Sequence, residues 1–253
     1  MTTITIDRPP VNAMSRAVVL ALEAALDALA TDAATRVALL RGAGPRGFSA
    51  GADISEFPAL LEPNANMRGE GIQRLADRVE AYPKPLIVAL HGFCMGGALE
   101  IALACDIRIA AEDAQIGLPE VRIGILPGGG GTQRLPRVVA PGRARLMIFS
   151  GEPISGRRAA EWGLVEEAVG PADVFDRTAA IARTLAAQSP HVLTVIKALL
   201  RETSGAPLRD GLRSETAAFA RLLAHPDARE GITAFLEKRA ARWAPPADGH
   251  ADA

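Results

Sequence analysis

Residues 3–6 alternate polar and apolar, the pattern of a strand with one buried face. Asp7-Arg8-Pro9-Pro10 breaks that pattern, and Ser15 offers an N-cap for the helix that follows. Val18, Leu22, Leu26 and Leu29 recur at helical spacing and predict its apolar stripe. Residues 37–40 read as a short buried strand, and 42–53, rich in glycine, as an extended loop. Residues 55–73 are irregular, with Pro58, Pro63, Asn64 and Asn66. They are the expected mobile, specificity-setting segment. A helical pattern resumes over 72–79.

An apolar run at 85–90 then predicts a buried strand. Gly92, Gly96 and Gly97 follow as a turn, and 98–104 carries helix formers without a breaker. Further strands are expected at 107–110, 115–117 and 164–169, with a Ser155-capped helix through Trp162 closed by Gly163. From Ala172 the chain reads as helix only, over 174–188, 190–202, 208–224 and 226–242. Strands interleaved with helices, then helices alone, predict an α/β core with an α-helical end.

The junction at 91–106 organises the chain. A helix opened by glycines presents unpaired N–H groups and the positive end of its dipole. An oxygen becoming anionic can sit there. Glu100, three residues after Gly97, projects from the same side of that helix. A carboxylate beside an oxyanion site suits proton chemistry next to a carbonyl; a capping glutamate is the plainer alternative.

Two other motifs fail on context. Gly42, Gly44 and Gly47 match G-x-G-x-x-G, but Pro45 argues against the helix that a dinucleotide fingerprint needs. Gly47, Ser49 and Gly51 match a nucleophile elbow, which should follow a strand directly. The histidines available to it, His191 and His225, lie in helical, exposed-looking sequence. A second glycine cluster, Gly128-Gly129-Gly130-Gly131-Thr132, lacks the lysine of a phosphate loop and predicts another glycine-opened helix. Glu120 precedes it on an expected loop, where a solvated carboxylate is the simplest reading.

Composition narrows the rest. Of 253 residues, 49% are hydrophobic and 23% charged, ordinary for a globular chain. A net charge of -1 and 4% aromatic residues give no footprint for nucleic acid. Cys94 and Cys105 sit in apolar sequence and form neither a disulfide framework nor a metal cluster, so no metal is expected. No uncharged run reaches the length of a membrane span. Met1 leads directly into Thr-Thr-Ile-Thr-Ile without a signal-peptide pattern, which makes the cytoplasm the expected location.

Several stretches coincide with one family. Phe48-Ser49-Ala50-Gly51-Ala52-Asp53-Ile54, residues 92–100, Cys105-Asp106-Ile107, Leu118-Pro119-Glu120, residues 126–135 and Ala234-Phe235-Leu236-Glu237-Lys238-Arg239 agree in order and spacing. On these motifs the chain resembles the enoyl-CoA hydratase/isomerase, or crotonase, superfamily. The resemblance implies a spiral of ββα units over 1–189. It also implies a C-terminal helical trimerisation region over 190–253, its tail disordered from about 244. The assembly would be a trimer or a dimer of trimers. The substrate would be an acyl-CoA thioester, coenzyme A being part of the substrate rather than a cofactor.

By motif, Ala52 and Gly97 would supply the two oxyanion N–H groups. Glu100 would deprotonate the attacking water and Glu120 would protonate C2. Gly128, expected at the start of its helix, would orient that water. Ala50, Asp53, Ile54 and Ser55 would line the coenzyme A channel, and Lys238 would approach the nucleotide phosphate. Family hydratases use two glutamates where isomerases often keep only the second, so the match at both implies hydration of a trans-2-enoyl-CoA; the alternatives are another activity of the family, as an isomerase or a hydratase of a branched or aromatic acyl-CoA, and a non-catalytic acyl-CoA-binding scaffold. The family usually has another strand or so before residues 3–6. Ser55 also stands where many members carry a lysine.

Overall fold

The structure, a computed structural model, describes residues 1–61 and 71–244. Nine strands form two sheets among these residues. The larger contains β1 (Thr2–Ile6), β2 (Ala38–Gly42), β4 (Leu86–Leu90), β6 (Ile107–Ala111) and β9 (Glu167–Val169), all parallel and in that spatial order. The smaller contains β3 (Gly47–Ser49), β5 (Phe93–Met95), β7 (Gln115–Gly117) and β8 (Ile154–Ser155). Its first three strands are parallel, and β8 runs antiparallel to β7.

The order has a simple logic. Each turn of the chain lays one strand in the large sheet, one short strand in the small sheet, then a helix. The three units are β2-β3-α2 (helix Ile72–Ala81), β4-β5-α3 (helix Gly97–Ala104) and β6-β7-α4 (helix Gly131–Val138). Parallel neighbours require a crossover connection, and the short strand plus helix provides it. The result is the spiral of ββα units expected for this chain, in an α/β framework.

The middle unit is the centre of the core. All five residues of β4 and all eight of α3 are buried. Apart from Glu100, α3 is apolar on every face, as suits a helix enclosed in a core, and α2 and α4 both pack against it. Helix α1 (Arg16–Thr31) begins where expected, Ser15 accepting from Val18 N–H. Its buried stripe is Val19, Leu22 and Leu26, so it turns slightly from the predicted one and leaves Val18 and Leu29 half-buried. Lys84, itself buried, donates from Nζ to the carbonyls of Leu29 and Asp32 and so closes the C-terminal end of α1. Asp106 Oδ2 accepts from Leu86 N–H and Lys197 Nζ, each at 2.7 Å, tying the entry of β4 to the helical end of the chain.

Several expectations need correction. The loop expected over 42–53 contains β3, and the turn expected between Gly92 and Gly97 contains β5; three-residue strands between glycines carry too little pattern to read. Helix α5 (Pro141–Ser150) and strand β8 were not expected from the sequence. The strand predicted from 164 begins at Glu167, because Leu164 and Val165 are buried in the turn after α6 (Gly156–Trp162). Residues 54–60 form a 3-10 turn, and the rest of the irregular segment up to residue 70 lies outside the described residues, apart from Leu61.

Helix α7 (Val174–Ala186) packs on β2, β4, β6 and β9. Helices α8 (Pro190–Glu202), α9 (Leu208–Leu223) and α10 (Pro226–Leu236) pack mainly on one another, and bury few side chains. Phe219 is 61% exposed and Phe235 82%. The last helix stops at Leu236, six residues short of expectation, and the tail expected to be disordered falls outside the described residues beyond Ala244. No helix among the described residues is long and apolar enough to cross a membrane.

Candidate active site

The site is built on the turn that opens α3. Gly97 is the first residue of that helix, so its N–H has no intrahelical acceptor. Ala52 arrives on a neighbouring segment, in a parallel bridge with Met14. Met14 N–H donates to Gly51 O at 2.8 Å, and Asp53 N–H donates to Met14 O at 3.1 Å. In this ladder geometry the residue between the two bonds turns its own N–H away from the partner. A Cβ on Gly51 would lie 2.5 Å from Met95 O and 3.2 Å from Gly97 N. The two expected oxyanion donors are thus carried on backbone segments in direct contact.

Glu100 follows one turn along α3 and is 2% exposed. Its Oε1 accepts from Gly131 N–H at 2.7 Å, and the neighbouring Gly129 backbone also pulls its pKa down. A Cβ on Gly129 would sit 2.4 Å from Glu100 Oε2, so a side chain there would displace the carboxylate. Burial raises the pKa of Glu100, against the pull of these backbone groups and the charge of Arg134. The two glycine-opened helices therefore differ in use. The N-terminus of α4 holds the Glu100 carboxyl through Gly131 N–H; that of α3 opens under the Glu120 carboxyl at Gly96.

Glu120 begins a 3-10 turn, Glu120–Ile123, rather than lying on an open loop. Its carboxylate reaches back over Gly96, where a Cβ would meet Oε1 at 2.9 Å. Oε2 is buried and has no hydrogen-bond partner among the described residues. Burial, with Glu100 adding repulsion, raises its pKa from the ordinary 4.5 to about 7. The Glu120 carboxyl thus lies at Gly96 and the Glu100 carboxyl at Gly129 and Gly131, close enough for Glu100 to raise the pKa of Glu120. Ile72, at the start of α2, supplies an apolar wall: its side-chain carbons would lie 3.1–3.3 Å from a Cβ on Gly97 and 2.5 Å from one on Gly129.

The other expected site residues are distributed differently. Gly128 is exposed in the turn before α4, which opens at Gly131; the helix start expected at Gly128 lies three residues later because Gly130 is the cap. Ala50, Ile54 and Ser55 are exposed on the rim beside Ala52. Asp53 there accepts from Ser55 N–H and Oγ and pairs with Arg8 at 2.6 Å, bonds that hold its pKa low. Lys238 is exposed just past α10, with φ 54°, and no hydrogen bond or ion pair among the described residues joins it to this rim. Sequence reasoning missed Gly131, whose N–H holds Glu100, and the wall formed by Ile72. Four successive glycines give no sign of which N–H points where.

Ser49 is not presented as a nucleophile. It is fully buried, donating from Oγ to Asn12 O at 2.7 Å and accepting from Gly51 N–H at 3.1 Å. His191 and His225 stack on each other at 3.8 Å on the helical end of the chain.

Comparison with known proteins agrees with this architecture. The sequence matches the family model described as enoyl-CoA hydratase/isomerase over residues 1–246. It is 45% identical over 238 residues to the "Probable enoyl-CoA hydratase" of Bacillus subtilis (strain 168), covering 93% of this chain and 92% of the relative. It is 37% identical over 239 residues to the crotonyl-CoA hydratase of Syntrophomonas wolfei, covering 94% and 92%. The crystal structure of an enoyl-CoA hydratase from Bacillus anthracis superposes with a TM-score of 0.89 at 35% identity, covering 98% of this chain and 95% of that one. The chain belongs to the enoyl-CoA hydratase/isomerase family.

Proposed function

We propose that this protein is an enoyl-CoA hydratase that adds water across the 2,3 double bond of a trans-2-enoyl-CoA, giving a 3-hydroxyacyl-CoA. The observation that carries this reading is a pair of buried carboxyl groups beside the turn that opens α3: Glu120 over Gly96, and Glu100 one helical turn along, held by the Gly131 N–H. Hydration needs a base for water and an acid for carbon. Glu100, whose pKa burial raises against the pull of a backbone N–H and the charge of Arg134, takes a proton from water as the water oxygen bonds to C3. Glu120, whose burial favours its neutral form, delivers a proton to C2. The thioester oxygen, gaining charge as the C2–C3 π electrons shift toward it, is received by the N–H groups of Ala52 and Gly97. Each such donor contributes about 3 kcal/mol to the transition state. The exposed Gly128, in the turn beside Glu100, is assigned to hold the attacking water.

The same reading places coenzyme A along the rim of Ala50, Asp53, Ile54 and Ser55. Lys238 is assigned to the nucleotide phosphate of a substrate bound in a neighbouring subunit. The exposed apolar side chains of α9 and α10 support a trimer, or a dimer of trimers, as the assembly.

The test is loss of enoyl-thioester absorbance with crotonyl-CoA, repeated with a long-chain enoyl-CoA. Rapid decay with either is the expected result, and the ratio brackets the acyl chain. No decay with either, while binding of the thioesters is demonstrated, would reject hydration and direct the assay to a 3-enoyl-CoA.

A further inference from the structure

Arg134 lies on α4 within the glycine-opened turn's reach, and its side chain folds back over that turn. Only 15% of the side chain is exposed. Nη1 donates to Gly129 O at 3.2 Å. Nε donates to Glu80 Oε2 at 3.0 Å, and Nη2 donates to Glu80 Oε2 and Asp77 Oδ1, each at 2.7 Å. Both acids are on α2. A Cβ on Gly130 would fall 2.2 Å from Nη1, so the guanidinium occupies the space a side chain would need. Gly130, with φ 108°, is therefore doubly committed to glycine.

The segment that Arg134 grips is the one that holds Glu100. Gly129 carries both contacts: its carbonyl accepts from Arg134, and its Cα lies against the Glu100 carboxylate, where a Cβ would fall 2.4 Å from Oε2. Two residues on, Gly131 N–H donates to Glu100 Oε1. The other element gripped, α2, carries Ile72 against Gly97 and Gly129. One guanidinium thus links α2, the glycine turn and α4 around a single buried carboxylate. Its fork geometry makes this possible, since a point charge could not serve three directions at fixed angles.

We propose that Arg134 is a positioning residue for Glu100: by holding Gly129 O it pins the glycine turn so that the Gly131 N–H keeps the carboxylate in one orientation. This rests on the assignment of Glu100 as the base. The charge of Arg134 also acts on Glu100 directly, opposing the effect of burial, while Glu120 is the other charged group that faces the site. The pair with Asp77 and Glu80 alone would make Arg134 a strap between helices. The bond to Gly129 O and the passage over Gly130 are what couple it to the site.

The test uses R134Q and R134K in the full chain. With crotonyl-CoA, R134Q is expected to lower kcat by roughly ten- to a hundredfold with little change in KM, as misplacement of a catalytic group does. The acidic limb of the kcat/KM profile moves to higher pH, because Glu100 loses a nearby positive charge. R134K keeps the charge but not the fork, so it restores the limb and only part of kcat. A merely structural strap would lower thermal stability in R134Q and R134K while leaving kcat of the folded protein in place, and that result overturns the proposal. If R134Q does not fold, R134K carries the test: an unchanged kcat overturns it. Infrared titration of the Glu100 carboxyl, identified by its loss in E100Q, needs no turnover. A carboxyl that titrates at higher pH in R134Q supports the proposal, and an unshifted one defeats it. A parent that leaves crotonyl-CoA untouched would instead overturn the hydratase reading.

Discussion

The carboxylate of Glu120 lies directly over Gly96, so close that a Cβ on the glycine would come within 2.9 Å of Oε1. Gly96 also has φ 54° and ψ −126°, a conformation that L side chains rarely adopt. Backbone shape and side-chain space therefore make the same demand at one position, and the turn that opens α3 is shaped around the acid it faces.

Gly96→Ala should accordingly damage both stability and activity. Strained backbone costs about 1–3 kcal/mol, and the new methyl group must push Glu120 aside. The unfolding free energy from urea titration is expected to fall by that amount. Turnover of crotonyl-CoA should fall by roughly a hundredfold in protein that is still folded. A folded variant with normal turnover would show that Glu120 need not occupy this place.

The raised pKa of Glu120 makes a prediction about stability alone. A carboxyl whose folded pKa exceeds its unfolded value is bound more tightly to its proton in the native state. Its stabilising contribution is complete below about 4.5 and is lost as pH rises toward about 7. Glu120→Gln cannot ionise and escapes that loss. Urea unfolding of parent and variant across pH 4 to 9 should therefore show the variant gaining relative stability between about 4.5 and 7, then running parallel above. A difference that is flat across that window would mean that the group titrates normally.

Activity should separate the two glutamates from their neighbours. Glu100→Gln and Glu120→Gln keep size and remove proton transfer, and each is expected to cost about 10²–10⁴ in kcat or more. Binding of an acyl-CoA, followed by calorimetry, should persist in both. Near-normal turnover in either variant would refute the role assigned to that residue. In the parent, kcat/KM should decline above about pH 7, where Glu120 loses the proton it must donate.

Much of this framework was legible in the chain because its signals are local and strong. The strand at Gln115–Gly117 and the helix ended by Gly163 follow from short apolar runs and their breakers. The strands at Gly47–Ser49 and Phe93–Met95 were not legible, since their order comes from pairing across the small sheet rather than from their own three residues. Helix α5 starts with Pro-Gly and has only Ala144 and Met147 buried, too little to make a periodic stripe. At the site, motif order named Glu100 and Glu120. It could not show that Gly131 rather than Gly128 opens α4, or that Arg134 passes over Gly130. Those facts concern where backbone N–H groups and a long side chain point, which residue spacing does not encode.

Ser49 shows how a motif and its surroundings can disagree. Its glycines give it the pattern of a nucleophile elbow, yet its hydroxyl is spent on two backbone groups in a fully buried position. Those bonds tie Asn12 O and Gly51 N–H together just before the segment that carries Ala52. An active-site serine probe such as a fluorophosphonate should leave the native protein unlabelled. Ser49→Ala leaves both backbone groups unpaired, so it should cost about 1–3 kcal/mol in urea unfolding. Its turnover of crotonyl-CoA should stay far above the roughly 10⁶-fold loss that follows removal of a true nucleophile. The remaining loss has a cause to look for, because a looser Gly51 would let the Ala52 N–H drift from Gly97. Labelling at Ser49, or a collapse of activity without a fall in stability, would mean that the hydroxyl takes part in the chemistry after all.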